Sequence, residues 1–146
     1  MEQSYLELNR QQRERLQRLV DDVDDSELRR AAESGWSVAT LLAHLAFWDR
    51  FGVARWDAFE RTGQFPDPVD PDLLNSACEA EWQTLPPGEA ARLALEATEA
   101  IDAYIERLSP AAVEAARAAG RSILLERAAH RREHLDQIER VLGRVG

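Results

Sequence analysis

Proline and glycine cut this chain into lengths that suit helices and little else. Its six prolines stand between segments of helical periodicity or at their first positions, where a missing backbone N–H costs nothing. Gly63 through Pro71, with Pro66, Pro68 and Pro71, is the one clear linker; Pro86-Pro87-Gly88 and Ser109-Pro110 are two further breaks. The first segment, from about Tyr5 to Val23, places Tyr5, Leu8, Leu16, Leu19, Val20 and Val23 at helical spacing, with a polar gap over Asn9–Glu14. Asp24-Asp25-Ser26-Glu27 reads as a break and a new cap, leading into a short helical piece that ends near Gly35. Ser37 caps a long second helix to about Arg61, with Leu41, Leu45, Trp48, Gly52, Trp56 and Phe59 on one stripe. Gly52 in that stripe either permits close packing or weakens the helix. Asp70 and Pro71 open a helix over Leu73, Leu74, Ala77 and Trp82, and an Ala-, Leu- and Glu-rich helix follows to about Leu108. A short connector runs from Ser109-Pro110 to near Gly120, and the last helix is expected from about Arg121 to Val141 or Leu142. No stretch alternates as a strand does, and none repeats. The pattern predicts an all-α fold, a four-helix bundle with short connecting helices, in one domain over residues 1–146.

Composition removes several classes of chemistry. A net charge of −9 disfavours nucleic acid, which needs a basic face, and an anionic membrane surface. The opening Met1-Glu2-Gln3-Ser4-Tyr5 lacks the positive flank and apolar run of a signal peptide. The apolar stretch around Val38–Trp48 is too short to span a bilayer. With one cysteine, Cys78, no internal disulfide can form, and a reducing cytoplasm is the expected location. All 18 basic residues are arginine. Without lysine there is no Schiff base, no pyridoxal-phosphate anchor and no phosphate-binding P-loop. A Gly-x-Ser-x-Gly elbow and a Gly-rich dinucleotide fingerprint are also missing.

Metal chemistry remains, and the three histidines are its candidates. His130 and His134 are spaced i, i+4, which puts two imidazoles on one helix face. At 100° per residue they project about 60–120° to one side of the apolar stripe of Leu124, Ala128, Leu135, Ile138 and Leu142. His44 lies in the second helix among apolar neighbours, where a neutral imidazole needs a hydrogen-bond partner or a metal. Three imidazoles from facing helices would form a three-nitrogen site with open coordination positions. The plainer alternative is a satisfied core histidine at 44 and two surface histidines on an Arg/Glu-rich helix.

With all histidines as ligands, proton handling falls to a carboxylate or to the metal-activated group. Glu126 and Glu133, four and three residues before or after His130, are the candidates for accepting a free imidazole N–H or acting as general base; exposed ion pairing is the alternative. Thr40 and Trp48 share a line with His44 and either line a pocket or serve as core and cap residues. Cys78 has no histidine left to activate it. Asp67, Asp70 and Asp72 do not follow a calcium-loop pattern and read as loop and cap residues; Asp21, Asp22, Asp24 and Asp25 read as a solvated helix end. Trp36 is expected to anchor the second helix in the core.

The segment Gly35-Trp36-Ser37-Val38-Ala39-Thr40-Leu41-Leu42-Ala43-His44-Leu45-Ala46-Phe47-Trp48-Asp49 resembles the signature of the DinB/YfiT-like superfamily, G-W-S/T-V-x-x-L-L-A-H-L-A-x-W-D. His130-Arg131-Arg132-Glu133-His134-Leu135-Asp136-Gln137-Ile138 is similar to its second signature, H-Y-R-E-H-L-x-Q-I, and Asn75 resembles an asparagine that opens the third helix in one branch. Arg131 departs from the pattern, standing where the family has an aromatic, and this bears on the shape or charge of the pocket. The resemblance implies an up-down-down-up four-helix bundle, often dimeric, with a divalent metal, zinc or nickel, on His44, His130 and His134. It also implies a reaction class: transfer of a thiol such as bacillithiol or mycothiol to a small electrophile in detoxification or stress response. Metal-dependent hydrolysis is the second choice, and a non-catalytic helical binding module the rival.

Overall fold

The computed structural model describes residues 4–144; Met1-Glu2-Gln3, read above for a signal peptide, lies outside them. The order is α1 (Tyr5–Asp22), α2 (Asp25–Leu28), α3 (Val38–Thr62), α4 (Pro71–Thr84), α5 (Pro87–Glu106), α6 (Pro110–Ala118), a 3-10 turn (Ser122–Leu124) and α7 (Ala128–Val141). Among the described residues the only β-type pairing is a single bridge between Ala31 and Ser37. None of the described helices is long and apolar enough to cross a membrane.

Side-chain caps set most of the helix starts. Ser4, Ser37 and Ser109 accept from the backbone N–H groups of Glu7, Thr40 and Ala112, and Asp70 accepts from Asp72 and Leu73. Asp24 and Glu27 cap each other's backbone N–H reciprocally, which starts α2. Pro71, Pro87 and Pro110 each occupy a first helical position. Gly63 ends α3 at φ 79, a left-handed conformation that lets its N–H close on the Phe59 carbonyl.

Two starts or ends differ from the sequence expectation. The piece after Asp24 is helical only to Leu28, because the chain then doubles back: Ala32 N–H donates to the Trp36 carbonyl at 2.8 Å and Val38 N–H to Arg30 at 2.9 Å. The last helix begins at Ala128, not at Arg121. The residues before it are fixed by Asn9, whose Nδ2 donates to the Leu125 carbonyl and whose Oδ1 accepts from Arg127 N–H, both at 2.8 Å. A side chain of α1 therefore supplies the partners that a continuous helix would have supplied itself.

α1 and α3 each pack against both α5 and α7, and α4 lies on α3. One apolar cluster joins Leu16, Leu19, Leu41, Leu42, Leu45, Ala90, Ala94, Leu135 and Ile138; a second surrounds fully buried Trp56 with Ile101, Ile105, Leu124 and Leu125. Trp56 Nε1 donates to the Leu124 carbonyl at 2.9 Å, so its one polar atom is satisfied inside the core. Gly52 permits close packing: a Cβ there would stand 3.2 Å from Ile101 Cδ1 of α5.

Between these clusters lies a buried charge network. Arg131, 1% exposed, donates to both Asp102 oxygens at 2.7 and 3.0 Å, to Asp49 at 3.3 Å and to the Asn9 carbonyl at 3.1 Å. Arg127 donates to the other Asp49 oxygen at 2.9 Å, and Arg13 reaches Asp102. Burial alone would lower the Arg131 pKa; the carboxylates of Asp49 and Asp102 outweigh it and raise it. The polar gap in α1 holds two members of this network, Asn9 and Arg13. Arg131 thus points into the bundle as a clasp between α3, α5 and α7, and the departure it makes from the family pattern changes the core, not the pocket.

Candidate metal centre

His44 is delivered by α3, and His130 and His134 by successive turns of α7. Their Nε2 atoms converge: His44 Nε2 is 3.1 Å from that of His130 and 3.1 Å from that of His134. Ligand atoms of all three lie within 4.8 Å of one another, a grouping that could hold a metal ion. Tetrahedral nitrogen ligands at zinc-type bond lengths are separated by about 3.3 Å, close to these contacts.

Hydrogen bonding among the imidazoles does not account for both short contacts. A neutral imidazole nitrogen is either one donor or one acceptor. His134 Nδ1 lies 2.6 Å from Gln137 Oε1, so the proton of a neutral His134 sits on Nδ1 and its Nε2 is a lone pair. A proton on His44 Nε2 can serve one of its two neighbours, leaving the other contact without one. A cation at the point of convergence would satisfy all three lone pairs at once.

The environment keeps two of these rings neutral. Burial, with the neighbouring His134, pushes His44 down to about 3. Burial, with His134 and then Arg127, pushes His130 down to about 2. Neutral imidazole is the form a metal requires. His44 is held by packing: its ring centroid is 5.4 Å from Trp36 and 5.3 Å from Trp82. Its Nδ1 is buried without a partner, so no hydrogen bond behind the ring fixes its tautomer.

The imidazoles line a cleft of ≈ 990 Å³ whose walls include Trp36, Leu41, Trp48, Asn75, Ile123 and Glu133. Trp48 is on this wall, its Nε1 donating to Asn75 Oδ1 at 2.9 Å, which joins α3 to α4. Trp36 packs against the core cluster, as expected of an anchor, and is half-buried because it also faces the cleft; its Nε1 donates to Glu79 at 2.6 Å. Thr40 is turned elsewhere: its hydroxyl is 3.0 Å from that of Ser37 at the start of α3. Glu133 is exposed on the cleft wall. Glu126 accepts from Ala129 N–H at 3.0 Å and so closes the first turn of α7. Cys78 is half-buried on α4, packed at the margin of the core.

Gln137 was not singled out by sequence reasoning, although it stands in the second signature segment. Its i, i+3 spacing from His134 is the available signal, and a neutral amide can accept an imidazole N–H as a carboxylate does.

A family model described as the DinB superfamily matches residues 8–138. No curated protein and no solved structure matches the chain.

Proposed function

The chain belongs to the DinB superfamily, and on that premise we propose that it is a metal-dependent transferase joining a low-molecular-weight thiol, of bacillithiol or mycothiol type, to a small electrophile. The observation that carries this reading is the convergence of three imidazoles on one wall of a large cleft, with His44 Nε2 3.1 Å from the Nε2 atoms of both His130 and His134. His44, His130 and His134 would hold one divalent ion, zinc or nickel. When bound, the ion supplies a Lewis-acid centre that lowers the proton affinity of a thiol or water beside it.

The chain's own residues do the rest. Gln137 holds His134 in the tautomer that presents its Nε2 lone pair. Trp36 and Trp82 fix the His44 ring and keep water from behind it. Trp48, oriented by Asn75, offers an aromatic face to the organic part of a ligand. Glu133 is the carboxylate on the cleft wall and takes the thiol proton; Glu126 is already engaged at the helix start. In the transfer, the thiol sulfur forms a bond to the electrophilic carbon while the leaving group departs with its electron pair. Water as nucleophile would use the same residues in a hydrolase. A cleft of ≈ 990 Å³, at the upper end of ligand pockets of about 300–1,000 Å³, favours two organic reactants.

The pairing of α1 and α3 with both α5 and α7 supports a four-helix bundle, whose up-down-down-up order is inferred from the family. The reading places the protein in a reducing cytoplasm, in detoxification or stress response, as a homodimer to which the exposed Leu73 would contribute.

The test is metal content and turnover. Purified protein is expected to bind one equivalent of zinc or nickel, lost in His134→Ala, and to join a thiol to a chloronitroarene only when loaded. Unchanged metal stoichiometry in His134→Ala would overturn the metal site. Full metal binding with no turnover of any thiol and electrophile would leave a metal-stabilised binding module.

A further inference from the structure

Among the described residues, two guanidinium groups of the same cleft have no carboxylate partner. Arg55 of α3 and Arg121, which precedes the 3-10 turn, both line it, together with the three histidines. Among the described residues Arg55 makes no hydrogen bond and no ion pair; its guanidinium carbon sits 4.3 Å from the Phe51 ring centroid and 6.0 Å from that of Trp48. Arg121 donates one bond, to the Pro66 carbonyl at 2.9 Å. The third arginine of this wall, Arg127, differs because Asp49 neutralises it at 2.9 Å. Burial lowers the Arg55 pKa, and Arg127 and Arg121 lower it further, as expected of a cation crowded by like charge.

Such an arrangement is costly unless something answers it. A guanidinium presents five N–H donors in a planar fork and stays charged, so a half-buried one without an acceptor calls for an anion. Stacking on Phe51 and Trp48 limits the orientations of its plane and reduces the ordering cost of binding. The rest of the molecule makes the site selective. On a chain of net charge −9, most of the surface repels anions, and a cleft edged by two unpaired arginines concentrates them locally.

We propose that Arg55 and Arg121 form an oxyanion subsite, so that the ligand of the three-histidine site is a small carboxylic acid whose carboxylate pairs with these arginines. This deepens the functional reading above and rests on it for the role of the imidazole end; the arginine end stands on its own geometry. Fork-to-fork pairing of a guanidinium with a carboxylate selects against neutral analogues, because an amide leaves the charges unanswered.

The experiment compares 3-mercaptopropionate with its amide by titration calorimetry, on metal-free and cobalt-loaded protein, for wild type and Arg55→Gln/Arg121→Gln. Cobalt stoichiometry is measured on the same samples. Wild type is expected to prefer the acid by about 10-fold or more in both metal states, the difference made by charge-assisted hydrogen bonds. The double variant should take up cobalt normally and bind acid and amide alike. Equal binding of the two by wild type, no binding of the acid in either metal state, or a preference that survives in the double variant would each overturn the subsite. Failure of cobalt uptake with the acid preference intact would instead overturn the metal reading alone.

Discussion

The Nδ1 atom of His134 lies 2.6 Å from Oε1 of Gln137, one turn further along α7. The contact decides which nitrogen of His134 carries the proton and therefore which one faces His44. It makes Gln137 a positioning residue of the three-histidine site.

Gln137→Ala is expected to weaken metal affinity by about 10–100-fold, the usual cost of removing such a partner. Competition against a chromophoric chelator would measure this, with far-ultraviolet circular dichroism to show an intact fold. An affinity equal to wild type would remove Gln137 from the site.

Stability of the metal-free protein should fall on acidification. Burial holds His44 down to about 3 and His130 down to about 2, whereas in the unfolded chain a histidine titrates near ~6.5. Between these values the unfolded chain binds protons that the folded one refuses, so stability is full above about pH 6.5 and is lost as pH falls below it. Each histidine contributes a slope of up to about 1.4 kcal/mol per pH unit. Urea unfolding between about pH 7 and 5 should show the slope, and His130→Gln should flatten it by about one proton. An identical slope in the variant would contradict this account.

Arg131→Met leaves Asp49 and Asp102 buried with less compensation and should cost about 3–5 kcal/mol in chemical denaturation. Adding Asp102→Asn to the variant removes a buried carboxylate left with Arg13 as its remaining partner and should recover part of the loss. A single variant as stable as wild type would mean that Arg131 is no clasp.

At Gly52, alanine meets only the tip of Ile101, at 3.2 Å, and gains helix propensity; its effect on stability should stay within about 1 kcal/mol. Leucine has no such room and should destabilise by about 1–3 kcal/mol as α3 and α5 are forced apart. Thermal unfolding of the two variants separates a packing role from a helix-weakening one.

Much of this architecture was legible because its causes are local. Ser37, Asp70 and the prolines announce helix starts through groups within three or four residues of each other. The i, i+4 spacing of His130 and His134 put both rings on one face, and the apolar surroundings of His44 pointed it inward. What escaped the sequence depends on contacts across the chain. The start of α7 is set by Asn9, more than a hundred residues away, and nothing near Arg121 signals it. Arg131 looks like a surface residue of an Arg/Glu-rich helix until Asp49 and Asp102 are placed around it. Trp36 packs against the core as expected, but the acceptor for its indole N–H, Glu79, comes from α4, more than forty residues further on. Glu126 and Glu133 were equivalent by spacing; the turn before α7 gives one a backbone N–H to accept and leaves the other on the cleft wall.

His130 and Arg131 are adjacent in the chain but serve different compartments, one opening on the cleft and the other locked among Asp49, Asp102 and Asn9. One link between α3 and α7, Arg131 with Asp49, is thus buried away from the cleft, while the other, Arg127 with Asp49, stands on its wall. Along that wall Trp48 is tied to Asn75 and Arg55 is stacked on Phe51, whereas Ile123 is 60% exposed. Exchanging the Ile123 side chain alone would therefore reshape the cleft without touching the Arg131 clasp beneath it.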